Sequence, residues 1–194
     1  MTGLVDSKAI EQSLTREEQL ALKNKRAGMA IFQISWILIF VVLIWANLGL
    51  RGQETTWPPP GVERYDVVLP IIASVLLILS GFTARSGLQA VRTGDLARFT
   101  PMWRATLVLG VIFVGIMAFE WVNTTATGNY GMLLRVMVAF HAVHALVIGA
   151  FLWNVHQNRA RYNPVNFWSV EAAAQLWYFV VVAWLLFFVV LYII

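Results

Sequence analysis

The sequence predicts an all-α, polytopic membrane protein folded as a bundle of five transmembrane helices. Its composition is 59% hydrophobic and only 12% charged, with a mean hydropathy of +0.71, which is typical of integral membrane proteins. Five apolar stretches each reach the length of about 20 residues that a helix needs to cross the hydrocarbon core. Only a helix satisfies the backbone of a single stretch there. The stretches are Ala27–Leu50, Val67–Ala90, Arg104–Thr125, Tyr130–Trp153 and Phe167–Ile194.

The residues before the first stretch are polar and are not a signal peptide, because Met1 to Arg26 contains no apolar core. Thr15 followed by Glu18 matches a capping box, in which each side chain bonds the other residue's backbone N–H. We therefore expect two parts: a cytoplasmic segment over 1–26 with a short amphipathic helix, and a five-helix transmembrane domain over 27–194.

The distribution of lysine and arginine predicts the orientation of the chain. One side of the membrane carries ten of these residues, and the other carries only Arg51 and Arg64. The ten are Lys8, Arg16, Lys23, Lys25, Arg26, Arg92, Arg98, Arg104, Arg159 and Arg161. Because basic residues stay on the cytoplasmic side, the N-terminus is predicted to be cytoplasmic and the C-terminus periplasmic. The net charge of +4 is too small to indicate a nucleic-acid partner.

Several charged residues lie in or beside the predicted spans, where an unpaired charge is costly. Glu120 and Arg135 fall at similar depth on either side of a short hairpin, so we expect them to form an ion pair, the alternative being that both side chains extend to the head groups. For the Glu120 carboxylate, a structural role is favoured over a role in proton transfer. The reason is that no series of Asp, Glu or Lys residues in this sequence leads to it. Arg85 can extend to the cytoplasmic interface. Glu171 lies in the first turn of the last helix, where the helix dipole favours an acid.

His141 and His144 are three residues apart and therefore share one helix face. Two ligands on one face cannot occupy opposite axial positions of a haem, and His156 is too far along the helix to help. A metal site would need both histidines and Glu120. The favoured interpretation is two packing histidines hydrogen-bonded to neighbouring helices. The chain has no cysteine, which excludes disulfides, iron–sulfur clusters and cysteine-ligated copper.

Short sequence motifs (phrases) in these spans and in the loops between them resemble motifs of subunit III of the haem–copper oxidases, the cytochrome c and quinol oxidase family. The phrases occur in the family's order from about Arg26 to the end of the chain. They are Arg26-Ala27-Gly28-Met29 with Ser35, Trp45-Ala46 with Trp57-Pro58-Pro59-Pro60-Gly61, Ser80-Gly81 with Thr83 and Gly94-Asp95, Leu109-Gly110 with Glu120-Trp121, Tyr130-Gly131, Phe140-His141 with His144, and Glu171-Ala172-Ala173 with Trp177, Phe179-Val180 and Trp184.

The chain departs from the family pattern at several polar positions. Trp36 stands where many members have a glutamate, and Arg85-Ser86 stands where a histidine pair is frequent. Tyr178 and Val181 replace a histidine and an aspartate of the last family helix. The network that the family associates with proton uptake is therefore reduced here. Five spans rather than seven resemble the bacterial forms that lack the first two helices.

The resemblance implies an accessory core subunit of a bacterial terminal oxidase in the cytoplasmic (inner) membrane. Oxygen reduction and proton pumping would belong to the complex, with haem and copper in subunit I and possibly subunit II, and no cofactor in this chain. The implied partners are subunit I as the main contact, subunit II, other oxidase subunits and phospholipids. The alternatives are an accessory subunit of a nitric oxide reductase, and a stand-alone membrane scaffold or transporter. A transporter is disfavoured, because Pro70, near a span end, is the only proline within the predicted spans.

The predicted orientation can be tested with reporter fusions. A fusion after Gln53 should report an external location, and a fusion after Gln157 should report a cytoplasmic location. The reason is that ten basic residues lie on the predicted cytoplasmic side and only two on the opposite side. Measurement of alkaline phosphatase and fluorescent-protein activity at both sites distinguishes the orientations. The reverse pattern would contradict both the topology and the family resemblance.

Overall fold

The computed structural model describes residue 12 and residues 14–194, and all regular structure in these residues is helical. Five helices are long and apolar enough to span a membrane, which confirms the predicted fold class. They are α1 (Arg16–Arg51), α2 (Val68–Arg92), α3 (Leu96–Asn123), α4 (Gly128–Gln157) and α5 (Trp168–Phe188). A short 3₁₀ turn (Arg159–Arg161) follows α4, and a π turn (Val189–Ile193) extends α5. We call the end of the bundle where α1, α3 and α5 begin the basic end.

The capping box predicted at Thr15 is confirmed, with the Thr15 side chain and the Glu18 side chain each accepting from the other's backbone N–H. The short separate helix predicted to follow it is not formed. The helix continues without a break to Arg51, because no proline interrupts the sequence between the polar turns and the first span. Its 36 residues extend about 54 Å, well beyond the hydrocarbon core. Residues 1–11 and 13 of the predicted cytoplasmic segment, including Lys8, lie outside the described residues.

Other helices also begin or end outside the apolar stretches. Helix α3 begins eight residues before the predicted Arg104, because Asp95 caps it by accepting a hydrogen bond from the backbone N–H of Arg98 at 3.0 Å. Helix α4 continues past Trp153 to Gln157. Hydropathy identifies only the part of a helix that matches hydrocarbon, so polar terminal turns escape it.

Helix α5 is the centre of the bundle, with buried residues along its whole length. It packs against α4 and α2, and two of its tryptophans are fixed by hydrogen bonds to α2. The indole N–H of Trp177 donates to the Ser80 hydroxyl at 2.9 Å, and that of Trp184 donates to the Ser74 hydroxyl at 2.8 Å. These two tryptophans therefore set the register of α5 on α2.

Helix α1 lies at the edge of the bundle, and only Phe40 and Asn47 of its residues are buried. Phe40 packs edge-on against Phe140 and Phe179. About two turns further along the helix, the Asn47 amide contacts the Met137 sulfur at 3.6 Å. Most of the large apolar side chains of α1 are exposed, as suits a helix that faces lipid or another subunit.

At the end opposite the basic end, two stacked tyrosines attach the first loop to α4. The rings of Tyr65 and Tyr130 lie 4.1 Å apart and nearly parallel, and the Tyr65 hydroxyl donates to the Tyr130 carbonyl at 2.6 Å. Burial, with a smaller contribution from Tyr130, raises the pKa of the Tyr65 hydroxyl above its ordinary value. The hydroxyl therefore keeps the proton that this hydrogen bond needs.

Two glycines in the phrases that resemble the oxidase family lie where a side chain would collide with a neighbour. A Cβ on Gly110 would approach the Trp177 ring to 2.8 Å. A Cβ on Gly131 would collide with the backbone carbonyl of Ala126. The first glycine lets α3 approach α5, and the second lets the α3–α4 loop pass over the start of α4.

The close approach at Gly110 predicts a large difference between two glycine-to-alanine substitutions in α3. Gly110→Ala should destabilise the protein by about 1–3 kcal/mol, because the Trp177 ring is fixed by its hydrogen bond and cannot move freely. Gly115→Ala should be neutral or stabilising, because nothing lies within 4 Å of its Cβ. Thermal unfolding in detergent compares the two, and equal effects would contradict the packing described.

Candidate functional site

Glu171 forms two ion pairs with arginines of two other helices. Its carboxylate is buried, with 5% of the residue exposed, although it lies in the first turn of α5 near the basic end. Arg26 of α1 and Arg92 of α2 each approach one of its oxygens to 3.1 Å. Arg26 also bonds the second oxygen at 3.2 Å. One carboxylate therefore joins three helices.

The position of each partner follows from its helix. Arg92 is the last residue of α2, where the helix dipole favours a cation, and Glu171 is in the first turn of α5, where it favours an anion. The Arg92 guanidinium also lies over the Phe167 ring, 5.2 Å from its centre. The sequence predicted only the helix dipole for Glu171. The signal that was missed is that Glu171 is the only charged residue of α5.

His141 and His144 are both buried, each with 1% of the residue exposed, and they lie in an aromatic cluster between α1, α3, α4 and α5. The ring nearest to His141 is that of Trp184, at 5.5 Å between centres. The ring nearest to His144 is that of Trp36, at 4.8 Å. The same cluster includes Phe40, Phe113, Phe179 and Phe187.

The hydrogen bonds predicted for these histidines are not formed. Among the described residues, none lies within hydrogen-bond distance of either nitrogen of His141 or His144. The reason is the surrounding side chains, which are phenylalanines and tryptophans that present ring carbons to the imidazoles. The predicted role in helix packing therefore stands on ring contacts rather than on polar bonds.

The ion pair predicted between Glu120 and Arg135 is wrong. In the part of the chain that the structure describes, the only ion pairs are those of Glu171. Arg135 donates instead to the Thr124 carbonyl at 2.7 Å. Thr124 ends α3, and its carbonyl is one of those that a helix end leaves without an intrahelical donor. The Trp121 indole in turn donates to the Arg135 carbonyl at 3.0 Å.

Glu120 lines a polar cavity of about 420 Å³ between the first loop and the α3–α4 loop, together with Asp66. No group of three or more His, Asp or Glu side chains in the described residues is placed to hold a metal ion. The combination of His141, His144 and Glu120, which the sequence left as the disfavoured alternative of a metal site, is not assembled among these residues. Arg85 lies in a groove between α2 and α5, away from these groups.

The cluster around Glu171 predicts that its carboxylate is needed for the attachment of α1. Glu171→Gln should destabilise the protein by about 2 kcal/mol. Removal of one partner from a fully buried ion pair costs ~3–5 kcal/mol, and the loss is smaller here because the arginines are partly exposed. A double-mutant cycle with Arg26→Gln, read by thermal unfolding, should show coupling between the two positions.

Glu63→Gln is the matched control, since Glu63 is exposed in the first loop. It should leave the unfolding temperature unchanged. Additive effects of the Glu171 and Arg26 substitutions would show that the carboxylate does not hold α1.

Comparison with known proteins agrees with this architecture. The family model described as cytochrome c oxidase subunit III matches residues 9–194. The cytochrome c oxidase subunit 3 of Thermostichus vulcanus is 31% identical over 173 residues, covering 86% of this chain and 85% of that protein. The subunit 3 of Synechocystis sp. is 30% identical over 172 residues, covering 85% and 73%. That of Anopheles gambiae is 29% identical over 178 residues, covering 86% and 68%.

These matches extend over nearly the whole chain and include all five spanning helices. They agree with the resemblance that the short phrases indicated from Arg26 onward. The chain is a multi-pass membrane protein that belongs to the cytochrome c oxidase subunit III family.

Proposed function

We propose that this chain is a structural subunit of a bacterial haem–copper terminal oxidase, where it stabilises the catalytic subunit I and holds phospholipid. The observation that carries the proposal is the family match over residues 9–194. The names of the matched family and of the relatives above favour an oxidase over a nitric oxide reductase or a stand-alone scaffold. The relatives from Synechocystis and Thermostichus vulcanus support a bacterial setting.

The exposed surface of the bundle supports a role in packing. Helix α1 presents apolar side chains on most of its circumference, and Trp45 of this helix is 77% exposed. Such a surface suits lipid and a larger membrane subunit equally well. Subunit I is the proposed main partner, with subunit II and further oxidase subunits around it.

The residues present do not fit a haem or a copper ion. The chain has no cysteine, and His141 and His144 share one face of α4 and are enclosed by aromatic rings. The third buried histidine, His156, lies in the last turn of α4, well away from that pair. Oxygen reduction is therefore assigned to the partner subunits of the complex. The contribution of this chain is to cover and stabilise apolar surface of the catalytic subunit.

The orientation proposed in the membrane follows from charge. The basic end of the bundle carries Arg26, Arg92 and Arg104, and the opposite end carries Arg51 and Arg64. This asymmetry supports a basic end in the cytoplasm of a bacterial inner membrane, with a periplasmic C-terminus.

Deletion of the chain tests the proposed function. An oxidase purified without it should keep its haem and copper spectra and its initial rate of oxygen reduction, because the metal ligands lie elsewhere. Activity should then decline during turnover, since an apolar face of subunit I loses its packing and lipid. Oxygen consumption and absorption spectra followed over time measure both quantities, and an immediate loss of a haem band would contradict the proposal.

The histidine pair gives a finer test in the assembled complex. His141→Ala and His144→Ala should each weaken association of the chain with the complex, because each leaves a cavity of ring size in the aromatic cluster. The haem and copper spectra should stay unchanged. Spectra and subunit content of the purified complex are the measurements, with Val143→Ala on the exposed face of α4 as the control.

A further inference from the structure

A small cavity of about 110 Å³ lies beside the stacked tyrosines at the end of the bundle opposite the basic end. Its walls come from the first loop, from the start of α4 and from the π turn that extends α5. We call it the tyrosine cavity, because Tyr65, Tyr130 and Tyr192 all line it. Its volume has room for about three water molecules, each of which takes up ~30 Å³ in the liquid.

Tyr192 brings an unpaired hydroxyl to the tyrosine cavity. The residue is buried, with 9% exposed, and its hydroxyl has no hydrogen-bond partner among the described residues. Its ring lies 5.8 Å from the Tyr65 ring and 5.6 Å from the Phe188 ring, measured between centres. These ring contacts hold the phenol in place, but they leave its polar atom unsatisfied. Burial of a hydroxyl without a hydrogen bond is costly.

Tyr130 brings a second donor to the same cavity. Its hydroxyl accepts a hydrogen bond from the backbone N–H of Tyr65 at 3.3 Å. A phenol can also donate one hydrogen bond, and no group in the described part of the chain accepts it. The Tyr65 hydroxyl donates its own proton to the Tyr130 carbonyl. The three tyrosines therefore do not satisfy one another.

The tyrosine cavity adjoins the larger polar cavity that Glu120 lines. Arg64 and Tyr65 contribute to the walls of both cavities. Glu120 also acts electrostatically on Tyr192, so the two groups are close. The polar cavity therefore gives water a route to the buried Tyr192 hydroxyl.

The walls of the tyrosine cavity fit water better than a cation or an apolar chain. A bound water molecule needs about two to four polar partners, and Tyr130, Tyr192 and the Arg64 guanidinium supply three. Among the described residues, no Asp, Glu or His side chain lines this cavity, so a cation would have no charged ligand there. An apolar chain would leave both hydroxyls unpaired.

We propose that the tyrosine cavity binds a cluster of ordered water molecules, which accept hydrogen bonds from the Tyr192 and Tyr130 hydroxyls and join the π turn to the first loop. The cluster fixes the end of α5 that lies opposite Glu171. Water-mediated bonds of this kind are nearly as favourable in enthalpy as direct ones. The inference concerns contacts within this chain and does not depend on the function proposed above.

The test compares wild type, Tyr192→Phe and Tyr162→Phe, each in the full chain within the complex from which it is purified. Cryo-electron microscopy at a resolution that shows ordered water locates the cluster, and thermal unfolding measures its effect on stability. Tyr162→Phe is the matched control, since it removes the same hydroxyl from another buried tyrosine, beyond α4 at the basic end.

The wild-type map should show water within hydrogen-bond distance of the Tyr192 hydroxyl. Tyr192→Phe should lose the nearest water and unfold about 2–4 °C lower, because a hydrogen bond is lost while the ring contacts remain. Tyr162→Phe should leave the water cluster unchanged. A hydroxyl without a partner predicts the opposite sign, since its removal leaves the unfolding temperature unchanged or raises it.

Two results would overturn the inference. One is a wild-type tyrosine cavity that contains no water density, or that contains an acyl chain or a side chain of another subunit. The other is a Tyr192→Phe variant that keeps the cluster and unfolds at or above the wild-type temperature. If Tyr192→Phe does not accumulate, the wild-type map alone decides.

Discussion

The carboxylate of Glu171 is the contact on which the arrangement of the helices most depends. Helix α5 is mostly apolar and lies buried at the centre of the bundle, and Glu171 is its only charged residue. Arg26 and Arg92 bind it from α1 and α2. Since the rest of α1 buries only Phe40 and Asn47, the ion cluster fixes the end of α1 that packing leaves free. Charge located at one end thus positions a helix that hydrophobic packing holds weakly.

Packing in the middle of the bundle uses aromatic rings rather than polar bonds. His141 and His144 are enclosed by rings from α1, α3 and α5, and their nitrogens contact no donor or acceptor of the described residues. Trp177 and Trp184 of α5 donate their N–H groups to serines of α2 instead. The described helices therefore make few polar contacts with one another in the middle of the bundle, which agrees with the structural role proposed for this chain.

The sequence predicted the fold well and the polar contacts poorly, for a physical reason. Apolar length identifies spans without reference to other helices, so all five were found. The partner of a charged side chain depends on which helices pack together. The spacing of residues along the chain does not indicate that packing. Arg135 could bond either the Glu120 carboxylate or a helix-end carbonyl, and in the structure it donates to the Thr124 carbonyl. Glu171 meets arginines 79 and 145 residues away, a pairing that no local spacing indicates.

Cryo-electron microscopy of the purified oxidase with this chain present measures the central claim most directly. We expect the Glu171 carboxylate to lie between Arg26 and Arg92, and α1 to remain against α5. We also expect this chain to contact the haem-bearing subunit without supplying a ligand to any metal. A map in which α1 leaves the bundle with Glu171 bound elsewhere, or in which His141 or His144 ligates a metal, would contradict that claim.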